Sequence, residues 1–82
     1  MKSIYLSRHA TRRMRLYDIH LRHVTKTLQE PDEVVPSMKN RYNAYEKVGG
    51  RVLRVTYVEE EQRYIVISVT PRKRFYGSGR CL

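Results

Sequence analysis

Towards its C-terminal end the sequence reads Arg72-Lys73-Arg74-Phe75-Tyr76, three cations followed at once by two aromatic rings. Guanidinium and ammonium groups hold phosphate oxygens, and a ring beside them stacks on a base, so the run has the make-up of a nucleic-acid clamp. A second candidate is Arg54, set among Val52, Leu53 and Val55. A guanidinium turned into an apolar core would be costly, so strand alternation should place Arg54 opposite the Leu53/Val55/Tyr57 face. His9 is followed three and four residues on by Arg12 and Arg13, with Arg8 beside it. On one helix face these would set a proton-transferring imidazole among phosphate-binding cations; a hydrogen bond from His9 to a backbone carbonyl is the structural alternative. Metal-free cleavage of RNA needs the 2′-hydroxyl deprotonated, the phosphorus oxygens stabilised and the departing 5′-oxygen protonated, and Arg, Tyr and His can fill these roles. Tyr76 would serve as the acid only if neighbouring arginines lowered its phenol from a pKa of ~10.

Other chemistries find less support in the sequence. His20 and His23 have i, i+3 spacing, but no carboxylate or third ligand joins them in a motif, so no metal site is expected. The single thiol, Cys81, can form no internal disulfide and no thiolate cage. Gly49-Gly50 reads as a two-residue hairpin turn, and neither a phosphate-cradling loop nor a nucleophile elbow is present. No cofactor is implied.

The charge distribution points to polyanions. Residues 1–30 carry seven basic side chains against two acids, residues 31–62 five against six, and residues 63–82 five against none, which together give the net +9. Both ends of the chain are therefore cationic around a near-neutral middle. Such a field concentrates nucleic acid, acidic protein segments or anionic surfaces without choosing among them. Twelve of the 17 cations are Arg, whose planar fork and stacking plane suit nucleic acid better than the point charge of Lys.

The elements that must position these residues are few, because 82 residues allow one small domain. No apolar run has the length of a signal peptide's core or of a membrane span, so the expected setting is the cytoplasm, with no membrane contact. Ser7 caps a first helix with Ala10, Met14 and Tyr17 on its inner face. A second helix starts after Asp18 or His20, with Leu21, Val24 and Leu28 inward, and ends before Pro31. Four strands come next: Glu33–Val35, Tyr42–Val48, Arg51–Val58 and Arg63–Thr70. The expected architecture is α+β, an N-terminal helical hairpin packed on a four-stranded antiparallel meander. Its core joins the helix residues to Leu53, Val55, Ile65, Ile67 and Val69, and its open face carries Arg54, Thr56, Tyr64 and Ser68. Residues 1–76 form the domain, and 77–82 a flexible tail.

Residues 7–14 (Ser-Arg-His-Ala-Thr-Arg-Arg-Met), Pro31-Asp32-Glu33-Val34-Val35, the Tyr-x-x-Tyr of 42–45, Gly-Gly-Arg-Val-Leu-Arg-Val at 49–55 and Ile-Val-Ile-Ser-Val at 65–69 form an ordered series. Together, over residues 4–76, they resemble the uncharacterised short bacterial domains related to BrnT toxins, within the wider RelE/ParE toxin superfamily. The resemblance implies a helical pair on a twisted antiparallel sheet, and a metal-independent endoribonuclease of a toxin–antitoxin pair. Its partners would be RNA, free or ribosome-associated, and an acidic or disordered antitoxin-like protein. Working residues in the RelE-like ribonucleases lie on the open sheet face, the last strand and the tail, and the positions matching them are Arg54, Ser68, Arg72, Arg74 and Tyr76. His9 is added from the opening motif. Arg8, Arg12, Arg13, Arg72, Lys73, Arg74 and Phe75 would contact the nucleic acid. Two other functions stay open: a non-catalytic RNA- or DNA-binding module, and a regulatory domain whose basic face receives an acidic partner strand.

Overall fold

The computed structural model describes residues 2–48 and 50–72. Lys73, Arg74, Phe75, Tyr76 and Cys81, and the proposed 77–82 tail, lie outside the described residues. The chain runs β1 (Ser3–Leu6), α1 (Arg8–Tyr17), α2 (Leu21–Gln29), β2 (Glu33–Pro36), β3 (Arg41–Val48), β4 (Arg51–Glu59) and β5 (Arg63–Arg72). One sheet holds all five strands in the order β1-β5-β4-β3-β2. β2 to β5 form the antiparallel meander that the hydrophobic alternation predicts, with Val48 paired to Arg51 across the two-residue hairpin.

Two expectations about the architecture are corrected. The sheet has five strands, not four, and is mixed, because Ser3–Leu6 pairs in parallel with β5, Ser3 opposite Arg63 and Leu6 opposite Val66. The two helices also do not close as a hairpin on each other: α1 packs on β5, while α2 packs on β3 and β4. Each helix finds more apolar surface on the sheet than on its sister, since their outward faces carry Arg8, Arg12, Arg15 and Arg22.

The expected core is also revised in detail. Ala10, Val24, Leu28, Leu53, Val55 and Val69 are buried as expected, with Met14 packed at the edge. Ile65 and Ile67 are not in this core; Val66 is fully buried in their place, with Tyr64 packed beside it. The cause is a bulge. Thr56 pairs with Ser68 but Tyr57 with Val66, so Ile67 is the extra residue, and the side-chain alternation of β5 inverts there. Tyr64 accordingly moves to the helix side, edge-on to Tyr57 with ring centroids 5.6 Å apart.

Leu21, expected inside, is 52% exposed, and Ile19 is buried instead. Asp18 adopts the left-handed conformation (φ 56°, ψ 48°) at the end of α1. Its N–H and that of Ile19 donate to the carbonyls of Arg15 and Met14, at 3.4 and 2.8 Å, and this closure folds Ile19 back onto the core.

One buried acid ties the layers together. Glu46 is 5% exposed. Its Oε2 accepts from Lys26 Nζ at 2.7 Å and its Oε1 from Thr27 Oγ1 at 3.0 Å. The hydrogen bond to Lys26, reinforced by the carboxylate charge, holds that ammonium above its ordinary pKa.

Candidate nucleic-acid interface

Ser7 shows how the sequence aims the bulged strand. Its Oγ accepts from the Ala10 N–H at 3.0 Å, capping α1, and donates to the Ile67 carbonyl at 3.0 Å, while its own N–H donates to the Val66 carbonyl at 3.1 Å. The bulge leaves a carbonyl off the β4–β5 ladder, and Ser7 supplies its donor. With the bulge fixed, Ser68, Thr70 and Arg72 fall on the sheet face that carries no helix.

Arg54 stands at the centre of that face. Register sets Thr70 of β5 and Tyr45 of β3 directly beside it. Ser68 and Arg72 are its diagonal neighbours on β5, and Val52 and Thr56 flank it along β4. Diagonal neighbours in a sheet lie roughly 7–8 Å apart, within reach of two guanidinium groups acting on one oligoanion. Thr56 Oγ1 donates to Asn43 Oδ1 at 2.7 Å, which fixes the next row. The Arg54 Nε is buried and makes no hydrogen bond among the described residues. A cationic donor withdrawn from water and lacking an acceptor is poised for an anion, because a phosphate oxygen would satisfy both its charge and its N–H.

The structure divides the remaining candidates between two surfaces. Arg54, Ser68 and Arg72 come together on the helix-free face. His9, Arg8 and Arg12 are exposed on α1, across the sheet from Arg54. Arg13 is half-buried, its Nη1 donating to Tyr17 Oη at 3.2 Å. Arg74, Tyr76, Lys73 and Phe75 lie outside the described residues. His20 and His23 act at the start of α2, where the His20 N–H donates to His23 Nδ1 at 3.3 Å. No group of three His, Cys, Asp or Glu residues stands together among the described residues.

Sequence reasoning passed over Tyr45, which is 4% exposed beside Arg54. Its place in the Tyr-x-x-Tyr motif was a signal, but only the β3–β4 register shows which tyrosine neighbours the arginine. Comparison with known proteins found no family model, no curated protein and no solved structure that matches this chain. No helix among the described residues is long and apolar enough to cross a membrane.

Proposed function

We propose that this chain is an RNA-targeting, toxin-like domain that grips phosphate on the helix-free face of its sheet. The observation carrying this reading is Arg54, a half-buried guanidinium whose Nε makes no hydrogen bond among the described residues, set between Ser68 and Arg72. Arginine outnumbers lysine in a chain of net charge +9, which favours a phosphate polymer over other anions.

The finer reading is a metal-independent endoribonuclease of the RelE/BrnT kind, working in the cytoplasm. Its support is the resemblance of the motif series and the run of two helices followed by the meander β2 to β5. In this scheme Arg54 and Arg72 stabilise charge on the phosphorane oxygens and Ser68 hydrogen-bonds the phosphate. Tyr76 is the candidate acid, since His9 lies on the other side of the sheet. An acidic or disordered antitoxin-like protein has its own landing surface. Arg8, Arg12 and Arg15 line the exposed face of α1 and make no ion pair among the described residues.

One observation favours the non-catalytic alternative, an RNA- or DNA-binding module: all three histidines lie on the helix side or in its turns, so no imidazole accompanies Arg54. Expression of the chain alone separates the readings. Growth arrest with cut cellular RNA supports the ribonuclease, and RNA binding without cuts supports the module. Failure to bind RNA, with binding of acidic protein segments only, leaves the regulatory interaction domain.

A further inference from the structure

The side-chain amide of Asn43 is turned in a set direction. Thr56 Oγ1 donates to its Oδ1 at 2.7 Å across the β3–β4 pair, so the other end of the amide, Nδ2, is held away from Thr56. Nδ2 carries two N–H groups and donates to nothing among the described residues, while the side chain is half-buried and still reached by solvent. What Asn43 offers outward is therefore a pair of donors. Its place on the helix-free face is equally specific. Arg54 is its diagonal neighbour on β4, roughly 7–8 Å away, because Asn43 pairs with Thr56 and Tyr45 with Arg54. On the opposite side, two residues along β3, stands Arg41, exposed and without an ion pair among the described residues. Val35 of β2 lies opposite Asn43 and Val58 of β4 diagonally from it, both half-buried.

A donor pair set between two cations and two aliphatic side chains has the make-up of a nucleobase seat. The cations hold phosphates on either side of one nucleotide, the valines meet its ring, and the amide reads the edge of that ring. We propose that Asn43 is a specificity-determining residue that selects a base by its exposed carbonyl oxygen, uracil over cytosine and guanine over adenine. This deepens the RNA reading of the same face and rests on it. Where uracil carries O4 and guanine O6, both acceptors, cytosine and adenine carry an amino group. An N–H facing an N–H leaves both donors without an acceptor, and a half-buried polar group left unpaired costs more than a made bond gains. Thr56 is the positioning residue: with its hydroxyl on Oδ1, the amide keeps its oxygen towards β4 and does not turn it outward to accept from an amino base.

The test uses the full-length protein and two labelled RNAs, pentauridylate and pentacytidylate, whose rings are the same size. Fluorescence anisotropy should show the uridylate bound about tenfold more tightly, the discrimination expected when one hydrogen bond is replaced by two facing donors. Asn43→Asp keeps an oxygen for Thr56 and puts an acceptor where the N–H groups stood. Both RNAs should then bind more weakly beside the added negative charge, and the preference should vanish or invert towards cytidylate. Thr56→Val frees the amide to turn, so the preference should shrink towards parity while the uridylate affinity changes little. Loss of folded protein would lower both affinities together and leave their ratio alone. A uridylate preference that survives either substitution undiminished, or equal binding of the two RNAs by the parent protein, overturns the proposal and leaves the RNA reading standing. If neither RNA binds, the RNA reading fails and the base seat fails with it.

Discussion

At the scale of single residues, Arg54 carries the most weight. Its strand parity is readable from Leu53, Val55 and Tyr57, because a charge and three apolar side chains cannot share one core face. Its partial burial is not readable, since that depends on its cross-strand neighbours Tyr45 and Thr70, which only the register supplies. Arg54→Ala should weaken RNA binding at every sequence tested and lessen the logarithmic salt slope by about 0.7, the share of one phosphate on a single strand. Arg63 is the control: it has the same charge, but its Nε already donates to Glu60 Oε1 at 2.8 Å. In a cleavage assay Arg54→Ala should lose on the order of 100-fold in rate while Arg63→Ala stays near the parent. Equal behaviour of the two variants would reduce Arg54 to part of the general field.

At the scale of elements, the bulge at Ile67 decides which face each β5 side chain meets, and Ser7 secures it while starting α1. The capping role of Ser7 is legible, because a hydroxyl residue stands just before an amphipathic run. The bulge is not: Ile65, Ile67 and Val69 read as one unbroken alternation, and only pairing with Thr56 and Tyr57 shows the skipped residue. Nor does β1 declare itself. Ile4 and Leu6 alternate with Ser3 and Tyr5, but a four-residue strand gains stability only from its partner some 60 residues on. Ser7→Ala removes the cap and strands the Ile67 carbonyl at once. The expected cost is about 2 kcal/mol in urea unfolding, larger than a cap alone usually gives. Exchange of the Ala10 amide should accelerate beyond that of Val24 in α2. A loss confined to a few tenths of a kcal/mol would mean that water replaces both bonds.

At the scale of the whole molecule, the two cationic surfaces lie on opposite faces of the sheet and should act separately. If about five phosphates are contacted on single-stranded RNA, the logarithmic salt slope is about −3.5. Arg12→Ala, on the outer side of α1, should leave that slope unchanged. A flat slope in the parent protein would sink the nucleic-acid reading, and a reduced slope in Arg12→Ala would show that one RNA wraps both faces. Among the described residues, two raised groups contribute to the pH dependence of folding. Burial, with the nearby Glu59 charge, lifts the Tyr57 phenol, and Glu46 lifts Lys26. In both, the folded state favours the protonated form, so their stabilisation is present at neutral pH and is lost as pH rises through the folded values, above ~10. Lys26 is exposed and screened, so Tyr57 should dominate the alkaline loss. Urea midpoints should fall between pH 8 and pH 11, and Tyr57→Phe should make that fall shallower.

Local periodicity and composition suffice for a large part of this protein. Both helices, their boundaries near Ser7 and Pro31, the four meander strands, the α+β class and the cationic ends are all readable without a fold. These are properties of neighbouring residues, where apolar spacing and turn chemistry act within a few positions. Tertiary structure decided the features that depend on distant pairing: the parallel edge strand β1, the inversion of β5 at Ile67, the burial of Glu46 under α2, and the division of Arg54 and His9 between opposite faces. Which side of a sheet a residue occupies is set by register, and register is fixed by partners that no local window contains.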